Sequence, residues 1–196
     1  ADLSYTYKIG KALYVNVTNR CNADCEFCDR KDHAIIAGYN LKMEKFQEPP
    51  DSVYIKDIGD PKRYSEIVFC GYGEPTIRWD LVRSVGKYVK ENGGTTRMNT
   101  NGHGNVINNR DITKELFGVI DTVSISLNST DPGEYSKIMK LDQKYFYEMI
   151  DFSRKAKEAG IHVVLSVVSL EEVDIEKARK FTEDEIGVEF RVRQYF

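Results

Sequence analysis

The segment DTVSISLN, residues 121–128, predicts the fold more directly than any other stretch of this sequence. Apolar and polar side chains alternate along it, and successive side chains of a β-strand point to opposite faces of a sheet. The apolar face consists of Val123, Ile125 and Leu127, and the polar face of Ser124, Ser126 and Asn128. Because a parallel strand covered on both faces reads as a continuous apolar run, this segment predicts a strand with helices on one side and a polar space on the other.

Similar segments occur on both sides of it and are separated by helical patterns. The predicted strands are 12–17, 66–71, 95–101, 121–128, 161–169 and 188–195. The predicted helices are 80–92, 109–118, 131–140, 143–159 and 174–186. Strands that alternate with helices indicate an α/β fold with a parallel sheet. The repeated polar faces favour an open, partial (β/α)6 barrel of the TIM type, with parallel strands and outer helices. An open doubly wound sheet is the alternative.

The composition is that of an ordinary globular protein. The chain has 196 residues, of which 41% are hydrophobic and 30% charged, and this length predicts a single domain over residues 1–196. The net charge of −3 provides no basic surface, so we expect no strong binding to bulk nucleic acid. No apolar run reaches the ~18 residues of a membrane span, and the first residues lack an apolar signal-peptide core. We therefore expect a cytoplasmic protein that does not enter membranes.

Three of the four cysteines, Cys21, Cys25 and Cys28, lie directly after the first predicted strand. Ligands of parallel α/β folds bind at the C-terminal ends of the strands, and clustered thiols in a reducing compartment indicate a metal. By residue type the site could be a Cys3His zinc site completed by His33, or an iron–sulfur site. A non-catalytic zinc or iron–sulfur binding module is therefore open at this point. Cys70 is expected to be a buried core residue.

The loop that carries these cysteines, residues 18–30, leads into the least regular part of the chain, residues 29–65. Pro50 and Gly59 delimit a predicted short helix in this part. The rest predicts a long loop that covers whatever the cysteines bind.

The pattern C-x3-C-x2-C, with Phe27 before its last cysteine, resembles the signature of radical S-adenosylmethionine (SAM) enzymes. GYGEPT at 71–76 is similar to the glycine–glutamate motif of that family, and NTNG at 99–102 and SISLN at 124–128 are similar to its polar ends of strands three and four. The order and the intervals suit a six-stranded partial barrel over nearly the whole chain. The segments VFCGYGEPT, NTNGHGN, SISLN and FRVRQYF look closest to the short radical SAM proteins that are linked to TatD-type nucleases.

The resemblance implies two cofactors, a 4Fe-4S iron–sulfur cluster and SAM. It implies that Cys21, Cys25 and Cys28 bind three irons and that SAM occupies the fourth. The reduced cluster would cleave SAM to a 5′-deoxyadenosyl radical, which abstracts hydrogen from a substrate, while the protein orients the reactants. We expect an oxidoreductase or transferase with a flavodoxin- or ferredoxin-type electron donor. A small molecule or nucleotide is the expected substrate, and a functional link to a TatD-type nuclease is expected as well. An activating enzyme that acts on a partner protein is the alternative.

The glycine–glutamate motif and its neighbours carry the first expected cofactor contacts, together with Phe27 and Tyr72. Glu74 would accept hydrogen bonds from the SAM ammonium group, and its alternative role is to cap the following helix. Gly71 and Gly73 would let the backbone approach a ligand closely, or they would only form a turn.

The strand ends provide the other expected contacts. Ser126 and Asn128 would reach the ribose hydroxyl groups, with Asn101 as a rival, although such residues often bond only the local backbone. The family often has a glycine in strand five, but this strand reads VVLSVVSLEE. An adenine contact of Val168 therefore has little support.

Arg191 and Arg193 share a face of the last strand and would contact the SAM carboxylate or the substrate, unless one pairs with Glu189. We expect His33, His103 and His162 to be structural or loop residues rather than ligands. Because Cys70 alone remains outside the cysteine cluster, no auxiliary-cluster domain is expected in this chain.

Overall fold

The computed structural model describes residues 2–23, 35–36, 38–170 and 173–193. Its strands are β1 (Thr6–Ile9), β2 (Ala12–Asn16), β3 (Ile35–Ile36), β4 (Tyr39–Asn40), β5 (Ile67–Cys70), β6 (Thr96–Thr100), β7 (Thr122–Ser126), β8 (His162–Val168) and β9 (Glu189–Arg193). Its α-helices are α1 (Asp51–Ile58), α2 (Trp79–Glu91), α3 (Gly104–Asn108), α4 (Pro132–Met139), α5 (Lys144–Glu158) and α6 (Ile175–Lys180). A π-helical segment, Phe181–Ile186, continues α6, and 3₁₀ helices lie at Lys45–Gln47, Pro61–Arg63, Pro75–Arg78 and Ile112–Glu115.

The main sheet is open and mostly parallel. Its strand order is β1-β2-β5-β6-β7-β8-β9. Every neighbouring pair from β2 to β9 is parallel, whereas β1 runs antiparallel to β2 at the edge. Strands β3 and β4 form a separate hairpin. The six predicted strands and the partial-barrel class are therefore confirmed.

The edge strand β1 is the element of the sheet that the sequence interpretation missed. Residues 5–16 read YTYKIGKALYVN, two strand-like runs that meet at Gly10 and Lys11. Gly10 adopts a φ of 60°, the left-handed backbone that a two-residue hairpin turn requires. A glycine between two runs of alternating apolar and polar side chains is typical of a hairpin turn, and this pattern could have predicted β1.

Most predicted helices are confirmed, with two corrections. The predicted helix at 109–118 is wrong, because α3 ends at Asn108 and the next residue, Asn109, is left-handed with a φ of 52°. A separate 3₁₀ helix then begins after Asp111, whose carboxylate accepts a hydrogen bond from the Thr113 N–H. The predicted helix at 174–186 is α6 followed by the π-helical segment. In the irregular part of the chain, α1 lies between Pro50 and Gly59 as predicted.

The two faces of the sheet differ as the alternation predicts. Val123, Ile125 and Leu127 are fully buried in the core between the sheet and the helices, and burial of each such side chain stabilises the fold by about 1.5–3 kcal/mol. The opposite, inner face is polar along β6 and β7. On β1, β2 and β5 it is instead apolar, with a patch formed by Tyr7, Ala12, Leu41, Val68, Cys70 and Tyr72. The alternation predicts an inner face that is polar on every strand, and this prediction is therefore wrong for β1, β2 and β5.

Candidate functional site

The loop after β5 and the start of the cysteine-bearing loop pair through their backbones at the C-terminal edge of the sheet. The Gly73 N–H donates to the Thr18 carbonyl oxygen at 3.0 Å, and the Glu74 N–H donates to the Arg20 carbonyl oxygen at 2.8 Å. These two bonds place the glycine–glutamate loop directly beside Cys21.

Both glycines of this loop are required by close contact with the protein itself. Gly71 has a φ of 127°, and a Cβ there would lie 3.0 Å from the Thr18 carbonyl oxygen. A Cβ on Gly73 would lie 2.1 Å from the Arg20 carbonyl oxygen, a separation that no side chain tolerates. Both positions are therefore glycine because the loop after β5 lies too close to the start of the cysteine-bearing loop for a side chain to fit.

Glu48, from the irregular part of the chain, anchors the same loop. It accepts hydrogen bonds from the Thr18 hydroxyl at 2.5 Å and from Arg20 at 2.6 and 3.0 Å, and Arg78 lies 3.7 Å away. Burial by itself would raise the pKa of Glu48, but the hydrogen bonds from Arg20 and Thr18 outweigh it and lower the pKa. The carboxylate is thus held ionised, and it fixes the residues that precede Cys21.

Glu74 is buried and bonded on both carboxylate oxygens. Oε2 accepts from the Thr76 N–H at 3.0 Å, from the Thr76 hydroxyl, and from the Thr100 hydroxyl at 2.7 Å. Oε1 accepts from the Asn101 N–H at 2.8 Å. Burial raises the pKa of Glu74, and the hydrogen bonds from Thr76, Asn101 and Thr100 oppose that shift. Glu74 therefore caps the following 3₁₀ helix, the alternative role considered from the sequence, and joins the ends of β5 and β6. Its contact with SAM stays a prediction.

Cys21 lies at this junction, where its sulfur has two N–H donors and, at 3.9 Å, Oδ1 of Asn22 beside it. The Ala23 N–H is 3.4 Å from Sγ, and Nδ2 of Asn101 is 3.9 Å from it. The same Nδ2 donates to Oδ1 of Asn22 at 2.8 Å. N–H groups directed at a sulfur stabilise its anionic form, and hydrogen bonds to cluster sulfurs set cluster potentials. The surroundings of Cys21 therefore fit a thiolate ligand of an iron–sulfur cluster. Cys25, Cys28, Phe27 and His33 lie outside the described residues.

His103, which contacts Asn22, was predicted from the sequence to be a structural or loop residue. His103 is fully buried, and its Nδ1 and Nε2 lie 3.0 Å from Nδ2 of Asn22 and 2.7 Å from the Tyr135 hydroxyl. Burial lowers the pKa of His103 to about 3, so the ring is neutral at physiological pH. Since Asn22 donates to Nδ1, the tautomer with hydrogen on Nε2 fits both contacts. Asn22 was not predicted. Its position between Cys21 and Cys25, inside the C-x3-C spacing, was the sequence feature that could have indicated a role at the site.

The other predicted contact residues divide between the inner face and the loop after β7. Arg193 lies beside Val168 in register, and its Nη2 donates to the Ser126 hydroxyl at 3.4 Å. Asn128 adopts a left-handed φ of 64°, and its Nδ2 is 3.0 Å from Sδ of Met139. Ser126, Val168 and Arg193 are thus brought together, while Asn128 points to α4.

Arg191 is not brought to this group. Its guanidinium lies 2.6 Å from the Glu189 carboxylate, and both side chains are about half exposed, which is the ion pair kept open from the sequence. Tyr72 is buried in the inner apolar patch beside Cys70. The Cys70 thiol contacts the Tyr7 hydroxyl at 3.2 Å, and burial raises the pKa of Cys70 to about 11. Cys70 is therefore a buried, protonated core residue, as expected.

A cysteine loop at the C-terminal edge of an open parallel barrel defines a cofactor-binding α/β protein of the partial-barrel class. A family model described as the Radical SAM superfamily matches residues 15–184. This chain therefore belongs to the radical SAM superfamily, a family of enzymes. The family uses a 4Fe-4S cluster and SAM, and its members need an electron donor, so the two cofactors and the need for a donor are confirmed, while the type of donor stays a prediction.

Individual relatives agree with this assignment. A probable GTP 3′,8-cyclase of Pyrobaculum aerophilum is 24% identical over 173 residues, which cover 88% of this chain and 52% of the relative. A probable GTP 3′,8-cyclase of Methanococcus aeolicus is 27% identical over 160 residues, which cover 77% of this chain and 47% of the relative. The chain thus spans about half the length of the curated relatives it matches.

Solved structures support the fold. The crystal structure of Streptococcus suis SuiB bound to S-adenosylmethionine superposes with a TM-score of 0.68 at 18% identity, covering 93% of this chain and 40% of SuiB. At this identity the likeness concerns the fold alone.

Two further properties concern membranes and metals. No helix among the described residues has the length and apolar character to cross a bilayer. Within the same residues, no three side chains of His, Cys, Asp or Glu come together as metal ligands, which is consistent with two of the three clustered cysteines being outside them. The cytoplasmic location and the link to a TatD-type nuclease stay predictions from the sequence.

Proposed function

We propose that this chain is the SAM-cleaving core of an enzyme that modifies a small molecule of the nucleotide type. The observation that carries the proposal is the junction of Cys21, Glu74 and Asn101 at the C-terminal edge of β2, β5 and β6. When bound, the cluster and SAM supply one electron and a 5′-deoxyadenosyl radical that takes hydrogen from the substrate. Cys21, Cys25 and Cys28 would hold the cluster.

The residues of the chain prepare the site for this chemistry. Glu48 and the backbone contacts of Gly73 fix the start of the cysteine loop, and Asn101 directs an N–H toward the Cys21 sulfur. The neutral ring of His103 holds Asn22 without adding a charge beside the cysteines. A rigid site of this kind holds the reactants in the orientation that the reaction requires.

Two features favour a nucleotide-type small molecule over a partner protein. Two of the matched relatives are named probable GTP 3′,8-cyclases, and the inner face between β6 and β9 carries polar side chains suited to a polar substrate. A flavodoxin- or ferredoxin-type donor would supply the electron.

The test is anaerobic turnover of the reconstituted protein with SAM, a reductant and deuterated candidate substrates, of which GTP is the first. The proposal expects deuterium from the substrate in 5′-deoxyadenosine. If a partner protein, but no nucleotide or other small molecule, supplied the hydrogen, the proposed substrate class would be wrong. Iron and sulfide analysis separates the enzyme from a zinc module: about four irons and four sulfides per chain fit a 4Fe-4S cluster.

A further inference from the structure

The inner face of the barrel contains Arg97 and Arg193, which the cluster junction does not use. Arg97 is on β6 and Arg193 is on β9, the strand at the open edge. Their side chains share this face with the hydroxyl groups of Ser126 and Ser166 and with the amide of Asn99. We call Arg97 and Arg193 the lumen arginines.

Arg193 reaches along the inner face to two serine hydroxyl groups. Its Nε donates to the Ser166 hydroxyl at 3.1 Å, and its Nη2 donates to the Ser126 hydroxyl at 3.4 Å. No carboxylate among the described residues forms an ion pair with it. Although the residue retains solvent exposure, loss of hydration around the guanidinium and the positive charge of Arg97 lower the pKa of Arg193. A bound anion would therefore stabilise the charged guanidinium group of Arg193.

Arg97 lies deeper, and a carboxylate pairs with one end of its guanidinium group. Its Nη2 pairs with the Glu66 carboxylate at 2.9 Å and lies 3.4 Å from the Tyr14 hydroxyl. Its Nε is buried and has no hydrogen-bond partner among the described residues. Oδ1 of Asn99, two residues further along β6 and on the same face, is likewise buried without a partner in the described part of the chain. Such orphaned groups carry a desolvation penalty that a bound ligand removes.

We propose that the lumen arginines form an oxyanion site for the substrate, in which Arg193 binds a phosphate or carboxylate group. Arg97 adds positive potential from below, and Oδ1 of Asn99 accepts a hydrogen bond from an N–H or O–H of the same molecule. The serine contacts use Nε and Nη2 of Arg193, and the guanidinium group has further N–H donors in the same plane that match the oxygens of such an anion. The inference rests on the proposed function, since it specifies the substrate of that site.

The depth of Arg97 in the barrel favours the substrate over SAM. Arg97 pairs in register with Val68 and Thr122, at the N-terminal part of the sheet. Asn101, beside Cys21, lies four residues further along the chain, which corresponds to about 13 Å at the rise of a β-strand. Arg193 pairs in register with Val168, at the C-terminal end of β8, so the lumen arginines extend from the cluster edge toward the floor of the barrel, and a molecule next to SAM would contact both.

The test measures anion binding separately from SAM binding. Inorganic pyrophosphate and succinate, as a phosphate and a carboxylate probe, are titrated by calorimetry into reconstituted protein saturated with SAM. We expect one probe to bind, and Arg193→Gln to weaken it about ten- to a hundredfold, as for the loss of a charged hydrogen bond. Arg193→Lys, which keeps the charge without the fork, should retain part of the affinity. Arg191→Gln, a neighbour paired with Glu189, should bind like the wild type.

Three outcomes would overturn the inference. These are the absence of binding of either probe to the wild type, an equal loss in Arg191→Gln, and an Arg193→Gln protein that loses SAM affinity but keeps the probe. If Arg193→Gln does not fold, Arg193→Lys and Arg97→Gln provide the same comparison, and both should bind the probe more weakly than Arg191→Gln. SAM cleavage without anion binding rejects only this inference, whereas anion binding without SAM cleavage rejects only the proposed function.

Discussion

Replacing Gly73 with alanine tests whether the glycine–glutamate loop is locked against the cysteine loop. The added Cβ would lie 2.1 Å from the Arg20 carbonyl oxygen and 2.6 Å from the carbonyl carbon of Asn19. Ordinary contact begins near 3.4 Å, so the two segments must separate by 3.4 − 2.1 = 1.3 Å along this line. The hydrogen bonds from Gly73 and Glu74 to this segment, now 3.0 and 2.8 Å long, cannot survive such a shift.

The expected effect is large for a single methyl group. Loss of two backbone hydrogen bonds costs about 1–3 kcal/mol, and overpacking costs about 1–3 kcal/mol more. The Gly73→Ala protein should thus lose about 2–6 kcal/mol of its free energy of unfolding and retain less iron after reconstitution. Gly133→Ala is the matched control, because a Cβ there would meet only side-chain atoms, the nearest being the Asp131 carboxylate at 3.2 Å. Urea unfolding and iron analysis measure both effects. Wild-type stability and full iron content in Gly73→Ala would refute this explanation of the loop.

The remaining predictions concern the cysteines, Glu74, His103 and nucleic acid. Cys25→Ala should abolish the brown iron–sulfur absorption and SAM cleavage while Cys70→Ala retains both, and the reverse result would contradict the ligand assignment. Glu74→Gln should weaken SAM binding about ten- to a hundredfold at full iron content, and unchanged affinity would leave Glu74 with its capping role alone. Because the pKa of His103 is lowered to about 3 from about 6.5 in the unfolded chain, the unfolded state binds more protons between these values, and stability is lost as pH falls. Urea unfolding should show a loss of about 2 kcal/mol from this group between pH 7.5 and pH 5 that is missing in His103→Asn, and equal losses in both proteins would refute the assignment. With a net charge of −3, the protein should not bind arbitrary duplexes, and sub-micromolar, salt-sensitive binding would show otherwise.

The sequence predicted the parts of the fold that local patterns determine. Alternation along residues 121–128 placed three apolar side chains against the helices, and Pro50 and Gly59 delimited α1 as the structure has it. Where the local pattern was ambiguous, the prediction failed. The predicted helix at 109–118 starts at Asn109, which caps the end of α3 in a left-handed conformation, and asparagine adopts this conformation too rarely for the sequence to predict it.

The candidate site was predictable as a set of motifs but not as an arrangement. Cys21 and Glu74 are recognisable from their neighbours in sequence, and the structure brings both to one edge of the sheet. The contact of Glu48 with Arg20 joins residues that are 28 positions apart, and no periodicity relates them. His103 shows the same limit, because its role depends on burial against Asn22 and Tyr135, which only the packing of the chain determines.

The most direct test of the central claim compares SAM cleavage by the wild-type protein and by Cys21→Ala, both reconstituted anaerobically with iron and sulfide and reduced with dithionite. We expect the wild type to form 5′-deoxyadenosine and methionine, and Cys21→Ala, which retains its fold by circular dichroism, to form neither. Equal formation of 5′-deoxyadenosine by the two proteins, or none by a wild type that carries a complete 4Fe-4S cluster, would contradict this claim.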